Sequence, residues 1–261
     1  MNRAVFALLP WIVGVAVLAL WEGLVRLLEV PRFVLPAPSL IASALVSDFS
    51  QLFDALLETL KITLLAFGAS FVGGLALAIL FSQSRLVERS LLPYAVVLQV
   101  TPIVAIAPLI VIWVGVDNVE RAVFILATIV AFFPILSNAT FGLRSVDPGL
   151  DDLFRLYRAS RWQHLWLLQL PSALPALLAG ARISAGLALI GTVVAEFVAG
   201  SGEATGLAWR IVESGNRLEI PRMFAALLLL SLTGLALNVL VARIERRLLR
   251  NWHAGHVEEE R

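Results

Sequence analysis

The stretch AVFILATIVAFFPILSNATF, residues 122–141, runs for twenty positions without one charged side chain. As a helix rising 1.5 Å per residue it would be about 30 Å long, the thickness of the hydrocarbon core of a bilayer. Five more runs of this kind lie at about 5–27, 60–81, 91–114, 174–199 and 223–241. With 59% hydrophobic and 15% charged residues, the chain has more apolar surface than a water-soluble fold can hide, since such folds carry about a quarter charged residues. The sequence therefore predicts an all-α polytopic membrane protein, residues 1–261 forming one transmembrane domain of six transmembrane helices. The first run offers no small-x-small cleavage site around Leu18–Glu22 and is expected to stay as a span.

Arginine placement sets the expected orientation. With the N-terminus inside, the inner segments hold Arg3, Arg85, Arg89, Arg144, Arg155, Arg158, Arg161, Arg182, Arg243, Arg246, Arg247, Arg250 and Arg261, against seven basic residues outside. Both termini are then cytoplasmic. A net charge of +1 gives no reason to expect a nucleic-acid partner, and Glu258-Glu259-Glu260-Arg261 reads as a solvated tail. The absence of cysteine excludes disulfides, thiolate metal sites and cysteine nucleophiles. No metal site or cofactor is expected.

Two segments between spans carry structure of their own. After Leu35-Pro36-Ala37-Pro38, Ser39 is placed to cap a helix with Leu40, Ile41, Leu45, Val46 and Phe49 at helical spacing, so residues 28–59 are expected to form external interfacial helices, with a re-entrant or packing segment as the alternative. In residues 144–171, Asp147-Pro148 reads as an N-cap with proline at the first helical position, and Asp151 and Asp152 favour the positive end of the helix dipole. This helix is expected to continue through Leu156, Tyr157, Ser160 and Gln163, with a break near Pro171 before Pro175 opens the fifth span.

The run Asp152-Leu153-Phe154-Arg155-Leu156-Tyr157-Arg158-Ala159-Ser160-Arg161-Trp162-Gln163, followed by Leu168-Gln169-Leu170-Pro171, resembles the cytoplasmic EAA loop of ABC importer permeases. Asp152 stands at the acidic position of that pattern, Arg158 at its glycine, Leu168 at its isoleucine and Leu170-Pro171 at its closing pair, while Leu153 and Phe154 replace its two alanines. Leu35–Ser39, Pro108–Gly115, Ala159–Trp162, Ala181–Ile183 and Val194–Phe197 are similar to the nitrate, sulfonate and taurine branch. The resemblance implies the type I ABC importer permease fold in a bacterial inner membrane. It also implies a second permease copy as homodimer partner, cytoplasmic ATPase subunits and a periplasmic substrate-binding protein, with membrane lipid around the spans. The moved solute is expected to be small, anionic or heterocyclic. No G-x-x-x-x-G-K-[ST] phosphate loop occurs, so the chain is expected to be a non-catalytic subunit powered by a separate ATPase.

In that family the EAA helix fits a groove on the ATPase and passes on its movement. The resemblance carries this coupling role to Asp152, Arg155, Tyr157, Arg158, Ala159, Ser160, Arg161, Leu170 and Pro171; the arginines, at three-residue spacing, suit acidic groups on a partner. Glu196 is an acid deep in the fifth run, where an ionisable group costs on the order of 3 kcal/mol unless it finds a partner or a cavity. A pathway or gate role, a hydrogen bond between helices, or a place near the outer interface would each meet that cost. Gln99, Thr101 and Pro102 fit either the lining of a translocation pathway or a kinked packing helix. Gly68, Gly73, Gly74, Gly180, Gly186 and Gly191 read as small residues for close helix contact.

Two other classes compete. An intramembrane serine hydrolase would use Ser70 of Gly68-Ala69-Ser70-Phe71, yet His164, His253 and His256 all fall in cytoplasmic segments, where none can serve as its base. No H-E-x-x-H motif and no pair of intramembrane aspartates occurs. A secondary transporter would show buried charges and interrupted repeats over a longer chain.

Overall fold

The computed structural model describes residues 3–199 and 206–250, with side chains from residue 8 onward. Gly200, Ser201 and Gly202, which follow the fifth run, lie outside the described residues, as do His253, His256 and the Glu258–Arg261 tail. The described residues form helices joined by short turns: α1 Arg3–Leu27, α2 Pro38–Ser47, α3 Phe49–Gln83, α4 Arg85–Val100, α5 Ile103–Val114, α6 Val119–Arg144, α7 Pro148–Leu156, α8 Arg161–His164, α9 Leu170–Ala199, α10 Leu207–Asn216 and α11 Ile220–Leu249. A π-helical segment, Leu165–Gln169, joins α8 to α9. Five helical runs are long and apolar enough to cross a membrane, and a sixth results if α4 and α5 count as one span bent by 103°.

The chain divides into two compact units, Met1–Glu58 with Thr205–Leu232, and Thr59–Ala204 with Thr233–Arg261. In the first, Ile41, Leu52, Ala55, Leu207, Ile211, Ala225 and Ala226 form a core, with Trp21 and Phe224 packed on it 6.2 Å apart. The cap of α2 differs from the one expected. Pro38 takes the first helical position, and the Glu22 carboxylate of α1 accepts from the Ser39 amide at 3.0 Å and the Ser39 hydroxyl at 2.8 Å. An acid from another helix thus satisfies one free N–H group of the first turn, and Ser39 is anchored instead of capping. On α10, a hydrogen bond from Arg210 holds the Glu213 carboxyl below its ordinary range, against the opposing effect of desolvation.

In the second unit α6 lies against α9, and small residues let the two backbones approach. A Cβ at Gly180 would come within 2.9 Å of the Pro134 carbonyl oxygen, one at Gly191 within 3.0 Å of Ala127 Cα, and one at Gly142 within 3.0 Å of Ala173 Cα. Ser184 donates to the Ala131 carbonyl at 2.7 Å, and Ser70 on α3 donates to the Thr128 carbonyl at 2.9 Å. Hydroxyl-to-carbonyl bonds of this kind hold helices together where the surrounding lipid supplies no hydrophobic drive. Ser70 is fully buried and spends its proton on this contact.

Three expectations need correction. Residues 91–114 are not one straight helix: Thr101 and Pro102 adopt extended backbone, because proline lacks the amide proton and pushes its predecessor out of the helical region. The segment before the second run is not separate from it. Phe49–Gln83 is a single helix, since no glycine or proline interrupts residues 49–67. Finally, no break occurs at Pro171; helix runs without interruption from Arg161 to Ala199. The π turn just before Pro171 widens the backbone where the proline ring would otherwise meet the Leu167 carbonyl.

Candidate functional site

The loop between α6 and α9 is built from local signals. Asp147 Oδ1 accepts from the amides of Gly149 at 2.8 Å and Leu150 at 3.1 Å, so α7 begins where the Asp-Pro pair predicts. It ends earlier than expected. Arg158 adopts the left-handed conformation, φ 48°, its amide bonds to the Arg155 carbonyl at 3.0 Å, and the Ala159 amide reaches the Phe154 carbonyl at 2.9 Å. This pair of bonds is the Schellman helix stop, whose left-handed position glycine normally fills. The EAA-like pattern also has glycine there, so the position of Arg158 was the signal for a turn that the expected continuous helix passed over.

The chain restarts at once. The Ser160 hydroxyl accepts from the Gln163 amide at 3.3 Å, and the Gln163 side chain accepts from the Ser160 amide at 2.8 Å, a reciprocal cap opening α8. Asp151 ties the two short helices together, reaching Arg155 at 2.7 Å and His164 Nε2 at 2.5 Å, while the Phe154 ring meets His164 edge to face. His164 and Asp151 were not singled out as partners, since 13 residues separate them and only the turn at Arg158 brings them together.

The tip of this hairpin is solvent-facing. Leu156, Tyr157 and Trp162 are 79, 77 and 70% exposed, and Asp152, Arg155, Arg158 and Arg161 are exposed beside them. Its base is anchored: Leu165 is buried in the core with Phe81, Leu143 and Ala173, and Leu168 is buried as well. Arg144 at the end of α6 pairs with Glu88 on α4 at 2.5 Å and donates to the Phe81 carbonyl at 3.3 Å. Leu170 and Pro171 belong to that base and not to the tip, so the structure divides the EAA-like residues between two levels.

The membrane-embedded candidates lie apart from one another. Glu196 is 2% exposed and accepts from Thr59 Oγ1 at 2.8 Å; one turn along, Thr63 and Thr192 meet hydroxyl to hydroxyl at 3.2 Å. The threonines on this seam were not foreseen, since nothing in the sequence pairs residues 137 positions apart. Gln99 and Thr101 instead line a cavity of about 260 Å³ at the bend between α4 and α5, walled by Ile103, Phe133, Pro134 and Leu187. Pro102 makes the bend but is not among its lining residues, and neither is Glu196. Of the glycines, Gly74, Gly180 and Gly191 make close contacts, whereas Gly68 and Gly186 face open space.

Membrane-length helices with a capped hairpin projecting between two of them define a polytopic membrane protein. Residues 70–250 match the family described as binding-protein-dependent transport system inner membrane component. The chain is 35% identical to a riboflavin transport system permease protein of Chloroflexus aurantiacus, covering 91% of this chain and 87% of that one. It is 30% identical to a putative aliphatic sulfonates transport permease protein of Bacillus subtilis over 92% and 86%. Among solved structures, the methionine ABC transporter in an inward-facing form shares the fold, with a TM-score of 0.67 and 21% identity over 77% of this chain and 97% of that one. The chain belongs to this family, in the nitrate, sulfonate and taurine branch of ABC importer permeases.

Proposed function

We propose that the chain is the membrane-spanning subunit of an ATP-driven importer in a bacterial inner membrane, working as a pair of identical copies with both termini in the cytoplasm. The observation that carries this reading is the exposed tip of the α7–α8 hairpin. Tyr157 and Trp162 stand in solvent among three arginines, the residue types that anchor protein interfaces, with Leu156 exposed beside them, on a base locked into the bundle. A cytoplasmic ATPase seated on that tip would move the whole hairpin, and with it α6 and α9, as one body. A periplasmic binding protein would deliver the solute.

The solute is a small heterocycle. The cavity at the bend offers an amide, a hydroxyl and the Phe133 ring, with no charged lining residue to hold an anion. The riboflavin permease relative supports the same class.

Proteoliposomes holding the full complex, loaded with ATP and supplied with the cognate binding protein, test both parts. Riboflavin uptake should require ATP and survive collapse of ion gradients. Uptake of taurine alone would overturn the substrate class, and ATP-independent, gradient-driven uptake would overturn the mechanism. For topology, a cysteine replacing Ser160 should label only from the cytoplasm and one replacing Asn216 only from outside. Charge reversal of Arg155 and Arg161 to glutamate should weaken co-purification of the ATPase while leaving membrane insertion intact.

A further inference from the structure

A cavity of about 700 Å³ lies between the start of α4, the end of α6 and the α7–α8 hairpin. Four arginines, Arg85, Arg89, Arg144 and Arg155, line it against two carboxylates, Glu88 and Asp151. Both acids are engaged: Glu88 pairs with Arg144, and Asp151 pairs with Arg155 and His164. Arg85 and Arg89, one turn apart on α4, have no ion-pair partner among the described residues and stand exposed at its rim. Only Ser84 separates α4 from the end of α3, which places these two guanidinium groups at the boundary of the membrane-length helices.

A second cavity of about 440 Å³ adjoins the first, sharing Glu88 and Arg144 as its wall. Its lining is mainly apolar, with Leu92, Phe133, Leu136 and Phe141, and it contains one orphan: the Thr140 hydroxyl oxygen is buried without a hydrogen-bond partner. A buried hydroxyl left unpaired costs on the order of 1 to 3 kcal/mol, so the site favours a ligand that supplies an acceptor there.

We propose that these joined cavities bind one anionic phospholipid. Its phosphate would sit between Arg85, Arg89 and Arg144, an ester oxygen would take the Thr140 proton, and an acyl chain would lie along Leu92 and Phe133. Basic pockets between membrane helices are suited to such headgroups. A free phosphate would satisfy the arginines but leave the apolar cavity and Thr140 unexplained, and an acidic protein surface could not thread the apolar cavity. Because Arg155 and His164 wall the same space, the bound lipid would brace the hairpin; that consequence, unlike the binding itself, rests on the coupling role proposed above.

The test uses the purified full-length permease without its ATPase, so failure of the coupling reading leaves it intact. The protein is equilibrated with nanodiscs of phosphatidylcholine with or without phosphatidylglycerol, and retained lipid is measured by native mass spectrometry. Wild type should retain phosphatidylglycerol over phosphatidylcholine, and Arg85→Gln and Arg89→Gln should each weaken retention roughly fivefold. Arg89→Lys should restore most of it, separating loss of charge from loss of fold, and Thr140→Val should give a smaller loss. Equal retention of both lipids, or retention unchanged in the double Arg85→Gln, Arg89→Gln variant, would overturn the proposal. So would displacement by inorganic phosphate at millimolar concentration, which marks a free-anion site.

Discussion

Asp151 and Glu196 are both carboxylates that tie two helices together, and their surroundings make them different devices. Asp151 is 25% exposed in a hairpin that faces water, and it holds Arg155 by an ion pair and His164 by a hydrogen bond, both of which solvent can replace. Glu196 is buried at 2% exposure and holds a threonine hydroxyl on α3 where no water competes. In the hairpin the turn chemistry of the backbone sets the shape and the charges trim it. In the bundle the polar pair itself fixes which faces of α3 and α9 meet, because lipid supplies no hydrophobic drive to do so. Damage to the first should therefore appear as lost function in a folded protein, and damage to the second as lost stability.

Ala159→Pro should give the largest effect. It removes the amide that closes the Schellman turn and drives Arg158 out of its left-handed conformation, since a residue before proline is confined to extended backbone. ATP-driven uptake should fall at least tenfold while the helical content and thermal midpoint of the purified subunit stay near wild type. A collapse of both would erase the distinction between hairpin and bundle.

Next comes Glu196→Ala, which leaves the Thr59 hydroxyl buried without this acceptor and should lower stability by about 2 kcal/mol. The matching Glu196→Gln keeps an acceptor and should lose less than half as much. Thermal unfolding in detergent orders the three proteins. If Gln matches Ala, charge and not hydrogen bonding is what the site uses; if Gln is stable yet uptake fails, Glu196 serves the pathway after all.

Ser160→Ala removes half of the reciprocal cap of α8, a loss of about 1 kcal/mol felt only in the hairpin. Hydrogen exchange should speed up at Arg161–His164 and stay unchanged in α6 and α9. The smallest effect belongs to Arg158→Gly. Relief of the left-handed strain, about 1 kcal/mol, is largely offset by the greater freedom of glycine in the unfolded chain, so stability should move by a few tenths of a kcal/mol and ATPase co-purification should not change. A marked loss of ATPase binding would make Arg158 an anchor for the partner.

The same contrast explains how much could be read from the sequence. The apolar runs located five membrane-length helical stretches, and a sixth if α4 and α5 count as one bent span, and Asp147-Pro148 placed the start of α7 to the residue, because caps act over three or four positions of the same chain. The stop at Arg158 was encoded too, though only through its match to a glycine position, since arginine itself gives no turn signal. What could not be read depends on partners distant in sequence. The Glu196 side chain meets Thr59, and glycines identical in local pattern divide by what faces them: Gly180 against the Pro134 carbonyl, Gly186 against nothing. Proline chemistry predicts an interruption at Thr101-Pro102, but not the 103° between α4 and α5.

The π turn at Leu165–Gln169 has a geometric consequence for the hairpin. It holds one more residue than the α-helical turn it replaces, and each residue of an α-helix turns the chain by about 100°. Deleting a single residue from this segment would restore regular winding and swing Tyr157 and Trp162 by roughly that angle about the α9 axis, with every buried contact of α9 unchanged. The bulge thus acts as a phase offset between the bundle and the hairpin tip, and the azimuth at which the proposed ATPase would be met is written in the length of five residues.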